Sequence, residues 1–168
     1  HTEMVTDGII DLIESGAITG ARKSIDRGKI VASFAIGTQR IYDYIDNNLL
    51  FSFHPTEYVN DPFIIHQQNK MVAVNTALEI DLTGQVCADS IGSKFFSGVG
   101  GQVDFNRGAS KSRGGKAIIA LPSTAKGGTV SLFIDGQKVG EGRVEMTEPF
   151  AFSADETVDV GMEAGSPV

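Results

Sequence analysis

The sequence predicts an α/β fold: a layered domain in which helices flank a mixed, largely parallel sheet, followed by a C-terminal β-hairpin segment. Segments with helical spacing of apolar residues alternate with short apolar runs that are typical of buried strands. Near the C-terminus, Asp135-Gly136 separates two runs of alternating polarity, which is the strongest short signal for a hairpin. The 168 residues are 41% hydrophobic and 21% charged, so they can form one core of ordinary size.

Three segments are predicted to form helices, and each has a local start signal. Asp7 precedes four apolar residues that share one helical face, Ile9, Ile10, Leu12 and Ile13. Thr38 is placed to cap a helix that extends to Ile45. Asp61-Pro62 begins the third helix, because proline is tolerated in the first turn.

Four apolar runs are predicted to form strands, and the first and the last are expected to be buried. They are Lys29–Gly37, Leu50–Phe53, Met71–Leu82 and Lys116–Leu121. Thr83-Gly84 is predicted to turn the chain after the third run, and Gln85–Cys87 is its return strand.

Composition excludes several classes of protein. No apolar run approaches the roughly 18 residues that a membrane span needs, and no secretory signal is visible at the start. The net charge of −7 argues against nucleic-acid binding through a general basic field. The three histidines and Cys87 lack zinc-ligand spacing, so no metal is expected. A single cysteine fits a reducing compartment, and we expect a cytoplasmic protein.

The charge is unevenly distributed along the chain. Residues 106–116 form a basic, glycine-containing segment without an acidic residue, and we expect it to be a loop. Such a segment in an acidic protein favours an anionic ligand of limited size, whereas composition alone favours a solvated surface loop. Its basic residues are Arg107, Lys111, Arg113 and Lys116.

Two further stretches have the residue types that chemistry needs. Strand alternation places Glu79 and Asp81 on one face, either as solvated surface or with one carboxylate as a nucleophile or base. Residues 97–105 contain a run of glycines whose N–H groups could face a ligand oxygen, or form only a flexible turn. The run does not fit the dinucleotide-binding pattern G-x-G-x-x-G, because Val103 stands where the last glycine is needed.

Over residues 1–127 the sequence closely resembles the acetyl-CoA hydrolase/transferase family, in particular 4-hydroxybutyrate and butyrate:acetate CoA-transferases. The motifs that carry the resemblance are HTEM at 1–4, KIVASFAIGT at 29–38, YVNDP at 58–62, EIDLTGQ at 79–85, GVGGQVDF at 98–105, RGA at 107–109 and ALPSTA at 120–125. The resemblance as a whole spans roughly three-quarters of the chain.

The resemblance implies transfer of coenzyme A between an acyl-CoA and a short-chain carboxylate. In the family, a glutamate attacks the acyl-CoA thioester and then carries CoA as an enzyme thioester, and Glu79 matches that nucleophile. The glycine-rich segment would supply N–H donors and hold the CoA. The residues that match it are Gly98, Gly100, Gly101 and Gln102. We add Arg107 and Lys111 as neighbours of the CoA phosphates from charge alone, and we interpret Asp81 as a structural or a surface residue.

Residues 128–168 resemble a different family, the C-terminal β-region of arylsulfatases, but the motif that supplies the formylglycine nucleophile is absent from the sequence. We therefore expect a chimera, with a partial C-terminal CoA-transferase domain over 1–127 and a structural hairpin and tail over 128–168. Because family members have two domains with the acyl pocket between them, three alternatives stay open: a transferase or hydrolase, a CoA-binding domain, and an inactive chimera. Self-association into a homo-oligomer could replace a missing pocket wall.

Overall fold

The computed structural model describes residues 1–81 and 83–122, together with the backbone of two strands at 129–134 and 137–143. The helices are α1 (Gly8–Glu14), α2 (Gln39–Ile45), α3 (Thr56–Val59), α4 (Pro62–Ile65) and α5 (Gln102–Lys111). The first strands are β1 (Met4–Val5), β2 (Ile30–Ala32), β3 (Phe34–Ala35), β4 (Phe51–Phe53), β5 (Val72–Thr76) and β6 (Glu79–Ile80). The remaining strands are β7 (Val86–Cys87), β8 (Ser90–Ile91), β9 (Lys94–Phe95), β10 (Lys116–Ala120), β11 (Thr129–Ile134) and β12 (Gln137–Arg143).

The predicted α/β class is confirmed, but the strands do not form one layered sheet. In the described part of the chain they form six two-stranded sheets. Three pairs are parallel, β1 with β3, β2 with β4, and β5 with β10. The other three are antiparallel, β6 with β7, β8 with β9, and β11 with β12. The parallel pairs carry the core, and the short antiparallel hairpins β6–β9 lie between β5 and α5 in sequence.

The predicted helix starts are confirmed, although one cap acts differently. The hydroxyl of Thr38 accepts a hydrogen bond from Arg40 N–H, and the carboxylate of Asp61 accepts one from Phe63 N–H at 2.8 Å. Asp7 stands at the N-cap of α1 without a side-chain cap bond. Its carboxylate instead accepts hydrogen bonds from the hydroxyl and the N–H of Thr38, at 2.7 and 2.9 Å, and these bonds lower the pKa of Asp7.

The main core is formed where α3, α4 and α5 cover strands β2 and β5. Its buried residues are Val31, Val59, Ile65, Ala73, Phe105 and Ala109. Gly108 lies on the face of α5 that packs on α4, where a Cβ atom would be 2.5 Å from Cβ of Ile65. Only glycine therefore allows the two helices to approach so closely.

Three predicted features differ from the structure. The run Lys29–Gly37 is interrupted at Ser33, because the carbonyl of Glu3 accepts hydrogen bonds from both Ser33 N–H and Phe34 N–H. The basic segment 106–116 is not a loop throughout, since its first half belongs to α5. Strand β10 is mostly exposed rather than buried, because within the described residues β5 is its only partner and that pair is left largely uncovered.

The two C-terminal strands pair as a hairpin with Ile134 opposite Gln137, next to the predicted Asp135-Gly136 turn. That turn itself lies outside the described residues, as do residues 144–168, which include most of the segment compared with arylsulfatases. None of the helices in the described ranges combines the length and the apolar character that crossing a membrane requires.

Candidate functional site

Glu79 lies on strand β6, half-buried, directly opposite Cys87 of β7. Its Oε1 atom accepts a hydrogen bond from the N–H of Gly92 at 3.2 Å. Gly92 lies in the tight turn between β8 and β9 and has a φ of 57°, a left-handed conformation that favours glycine. One oxygen of the carboxylate is therefore held by a backbone donor from the neighbouring hairpin.

Asp81 has a different role from Glu79, although strand alternation places both on one face. Its Oδ1 atom accepts hydrogen bonds from the N–H and the hydroxyl of Thr83, at 2.9 and 2.7 Å, and from Gln85 N–H at 2.8 Å. This is the arrangement in which an aspartate side chain closes a turn. Asp81 thus shapes the turn between β6 and β7, as the sequence interpretation expected.

Short hydrogen bonds connect the hairpins to the glycine-rich segment. The carbonyl of Asp89 accepts from the N–H groups of Phe96 and Ser97, at 2.7 and 3.1 Å. The thiol of Cys87 lies 3.1 Å from the hydroxyl of Ser90. These contacts place the beginning of the glycine-rich segment beside β7.

The glycine-rich segment, residues 98–101, ends at the N-terminus of helix α5, where Gly101 is the N-cap residue. Gly98, Gly100, Gly101 and Gln102 line one open cleft of about 380 Å³, so the structure brings these four predicted residues together. Other residues of the lining are Glu3, Asn75, Thr76, Val86, Ala88 and Asp89. The side chain of Gln102 donates to the carbonyl of Thr76 at 2.7 Å, which attaches the segment to the end of β5.

Gly101 is enclosed by two polar side chains. Its N–H donates to Oε2 of Glu3 at 2.9 Å. A Cβ atom at this position would be 2.5 Å from that oxygen and 2.5 Å from Nδ2 of Asn60. Because Glu3 lies at the N-terminus of α5, its carboxylate also interacts favourably with the positive end of the helix dipole.

Glu79 is not among the described residues that line this cleft. In the β6–β7 pair, Glu79 faces Cys87 and Ile80 faces Val86, so the two pairs point to opposite sides. Val86 and Ala88 line the cleft, and Glu79 is directed to the other side, towards Gly92. The predicted nucleophile therefore does not line the cleft that the glycine-rich segment lines.

Arg107 and Lys111 are both exposed and are four residues apart on α5. Side chains at this spacing lie on the same face of a helix. At a rise of ~1.5 Å per residue they lie roughly 9 and 15 Å along the axis from Gly101. The two cations thus extend from the cleft towards the C-terminal end of the helix.

Residues 37–146 match the model of a protein family described as "Acetyl-CoA hydrolase/transferase C-terminal domain". This match covers more than half of the chain. The chain belongs to this family. The resemblance that the motifs indicated is therefore confirmed, and the matched range extends beyond residue 127, where we placed the end of the CoA-transferase part.

Individual relatives agree with this membership. The chain is 50% identical over 131 residues to a 4-hydroxybutyrate coenzyme A transferase of Clostridium kluyveri, a match that covers 78% of this chain and 30% of the relative. The crystal structure of RipA from Yersinia pestis superposes with a TM-score of 0.74 at 46% identity, covering 82% of this chain and 32% of that one. A 4-hydroxybutyrate CoA-transferase structure from Porphyromonas gingivalis gives a TM-score of 0.66 at 41% identity, covering 76% of this chain and 30% of that one. The chain thus spans about 30% of the length of the curated relative and of the two structures.

Sequence reasoning missed two residues of this region, Glu3 and Gly92. Both contact predicted site residues through hydrogen bonds that join distant parts of the chain. Glu3 stood inside the HTEM motif, but no local pattern linked it to a glycine 98 positions away. Gly92 carried only the general signal that an isolated glycine marks a turn.

Proposed function

We propose that this domain transfers CoA between an acyl-CoA and a short-chain carboxylate, with Glu79 as the nucleophile. The observation that carries the proposal is a half-buried carboxylate, oriented by the N–H of Gly92, in a member of the acetyl-CoA hydrolase/transferase family. A nucleophilic carboxylate must be fixed in orientation with one oxygen directed at the reacting carbonyl. The hydrogen bond to Oε1 leaves Oε2 as the attacking atom.

The reaction proceeds in balanced steps. Oε2 of Glu79 attacks the acyl-CoA carbonyl, the C–S bond breaks, and a mixed anhydride and CoA thiolate form. The thiolate then attacks the side-chain carbonyl of Glu79 and releases the acyl group as a carboxylate, which leaves a glutamyl-CoA thioester. An acceptor carboxylate repeats both steps in reverse order and removes the CoA as a new acyl-CoA. Each exchange is divided into two easier reactions, which is the advantage of covalent catalysis.

The glycine-rich segment is assigned to the negative charge that develops on the thioester oxygen. Without side chains, Gly98 and Gly100 allow a ligand to approach the backbone closely. The positive end of the α5 dipole lies directly behind them, and oriented N–H donors of this kind stabilise an oxyanion. For Glu79 and this segment to act on one carbonyl, the β6–β7 hairpin has to turn its Glu79 face towards the cleft when substrate binds.

Arg107 and Lys111 are assigned to the phosphate groups of CoA. Both are exposed cations on one face of the helix that begins at the cleft. Replacing each by glutamine is expected to raise the Kd for CoA and to reduce its dependence on salt concentration. Replacement of Arg22, an exposed cation distant in sequence, serves as the matched control.

A second function, CoA binding without transfer, is favoured by one observation. Glu79 and the cleft lie on opposite sides of the β6–β7 hairpin. In this alternative the glycine-rich segment and the two cations bind CoA, and Glu79 only stabilises the hairpins through Gly92.

Intact-protein mass measured after mixing with butyryl-CoA or acetyl-CoA separates the two functions. We expect a mass gain equal to CoA minus water, which neutral hydroxylamine removes because it cleaves thioesters. The variant Glu79→Gln should bind CoA but show no gain, and Asp81→Asn is the matched carboxylate control that should retain it. A folded wild-type chain that binds CoA without a mass gain would refute transfer and leave binding only.

We propose that the segment from 128 onwards has a structural role, in which its hairpin covers a sheet edge. The arylsulfatase resemblance, the chimeric origin, self-association and the cytoplasmic location remain predictions. Size-exclusion chromatography with light scattering tests the self-association.

A further inference from the structure

Glu3 contacts the glycine-rich segment from a part of the chain that is itself fixed. Its carbonyl accepts hydrogen bonds from Ser33 N–H and Phe34 N–H, at 2.9 and 3.2 Å. The N–H of the preceding residue, Thr2, donates to the carbonyl of Val31 at 3.0 Å. The backbone on both sides is therefore part of the β1–β3 and β2 framework, and the Glu3 side chain extends from a rigid element.

The carboxylate of Glu3 is directed at one atom of the glycine-rich segment. Oε2 accepts from Gly101 N–H at 2.9 Å, and the same oxygen is 3.9 Å from the position that a Cβ of Gly100 would occupy. Gly101 is buried, whereas Gly98 and Gly100 are exposed in the cleft. A hydrogen bond to an ionised acceptor is among the stronger ones in proteins.

A second contact holds Gln102, the residue that follows Gly101. The side chain of Gln102 donates to the carbonyl of Thr76 at 2.7 Å. Together, the bonds of Gly101 to Glu3 and of Gln102 to Thr76 fix the end of the segment to two separate strands. Among the described residues, neither Gly98 nor Gly100 donates its N–H to a hydrogen bond, so two residues that line the cleft keep an unused donor.

We propose that Glu3 is a positioning residue, which holds the glycine-rich segment so that the N–H groups of Gly98 and Gly100 bind an oxygen of the CoA thioester. Glu3 lines the same cleft, but in this role it acts through its hydrogen bond to Gly101 and not on the thioester itself. The role rests on the proposed function, in which this segment binds CoA. This role differs from that of a simple helix cap. A cap for α5 has only to bind Gly101, whereas a positioning residue must also fix where Gly98 and Gly100 lie.

The test uses the 168-residue chain, three variants of Glu3 and one control. Glu3→Ala removes the acceptor, Glu3→Asp withdraws it by one methylene group but retains the charge, and Glu3→Gln retains an acceptor oxygen at the original length. Glu14→Ala removes an exposed carboxylate on α1 and serves as the control. Three quantities are measured: amide hydrogen exchange at Gly101, the Kd for free CoA, and the rate of the mass gain with butyryl-CoA.

We expect exchange at Gly101 to rise roughly tenfold to a hundredfold in Glu3→Ala, the range for losing a hydrogen bond to a charged acceptor. The Kd for CoA should rise and the rate of the mass gain should fall in Glu3→Ala and Glu3→Asp. Glu3→Gln should restore most of both, and Glu14→Ala should change neither. If Glu3→Ala does not fold, the comparison of Glu3→Asp with Glu3→Gln decides.

Two results would overturn the proposal. Faster exchange at Gly101 with an unchanged Kd and rate would show that Glu3 is only a helix cap. Tighter CoA binding in Glu3→Ala or Glu3→Gln would show that the carboxylate competes with the ligand for the end of α5. If the wild-type chain gives no mass gain, the proposed transfer function fails, and the Kd for CoA alone then decides the positioning role.

Discussion

Replacing Gly108 by alanine tests whether the close approach of α4 and α5 holds the core together. A new Cβ would lie 2.5 Å from Cβ of Ile65 and 3.3 Å from the carbonyl oxygen of Pro62. Carbon atoms are in optimal contact at about 3.5–4.0 Å, so one helix has to retreat by roughly 1 Å. Ile65 is fully buried in the same core cluster as Phe105 and Ala109, so it cannot turn out to solvent.

Two effects of opposite sign decide the result. Alanine is favoured over glycine inside a helix by about 0.8–1.0 kcal/mol. Overpacking a filled core costs typically about 1–3 kcal/mol. Since the clash involves a backbone carbonyl and the branched carbon of a buried side chain, we expect the second effect to exceed the first, with a net loss of about 1–2 kcal/mol.

The measurement is urea unfolding followed by circular dichroism. With a slope of about 2 kcal/mol per M, the middle of the usual range, a loss of this size lowers the midpoint by roughly 0.5–1 M. Gly8→Ala is the control, because Gly8 also lies in a helix, as the first residue of α1, but its nearest neighbour, the Thr6 hydroxyl, lies 4.0 Å from the new Cβ. That variant should be as stable as the wild type or slightly more so. A Gly108→Ala protein with an unchanged or higher midpoint would show that the two helices are not in the close contact described.

Two further predictions concern the turn at Gly92 and the carboxylate of Asp7. A Cβ at Gly92 would meet no neighbouring atom within 4 Å, but the φ of 57° costs an alanine about 1–2 kcal/mol. We therefore expect Gly92→Ala to form the mass adduct more slowly, and Gly92→Asn, which tolerates this conformation, to be closer to the wild type. Equal rates for all three proteins would show that Gly92 does not affect the chemistry of Glu79. Asp7 has a pKa below its ordinary 3.8 because of its bonds to Thr38, so it stabilises the folded state above that value and loses this effect as the pH falls through the lowered pKa. Asp7→Asn should therefore be less stable than the wild type at neutral pH, with the difference shrinking below about pH 4, and a gap that stays constant between pH 7 and pH 3 in thermal unfolding would contradict the assignment.

The sequence predicted those features of the structure that depend on residues adjacent in the chain. The cap at Thr38 and the start at Asp61-Pro62 follow from local hydrogen bonding and the fixed φ of proline, and both are confirmed. The glycine-rich segment was recognised because successive glycines, which lack a Cβ, leave the backbone open to a ligand.

The remaining features depend on contacts between distant residues, which a sequence pattern does not record. The bend at Ser33 comes from the carbonyl of Glu3. The basic segment 106–116 was predicted as a loop, whereas its first half belongs to α5 and its Gly108 serves the contact with Ile65. The exposure of β10 reflects the lack of a third strand beside the pair with β5 in the described chain.

Some strand pairs join residues that are near in sequence and others join residues that are far apart, and this difference favours an order in which the pairs form during folding. The antiparallel hairpins join near neighbours, such as Glu79 with Cys87 and Ser90 with Phe95, and hairpins of this kind form within microseconds. The parallel pair of β5 with β10 joins Val72 to Lys116, and loop closure of that length must precede its contacts. A ribosome that is translating this chain therefore releases β5 long before its partner, and the exposed apolar residues of β5, Val72 and Val74, remain open to other nascent chains until β10 emerges.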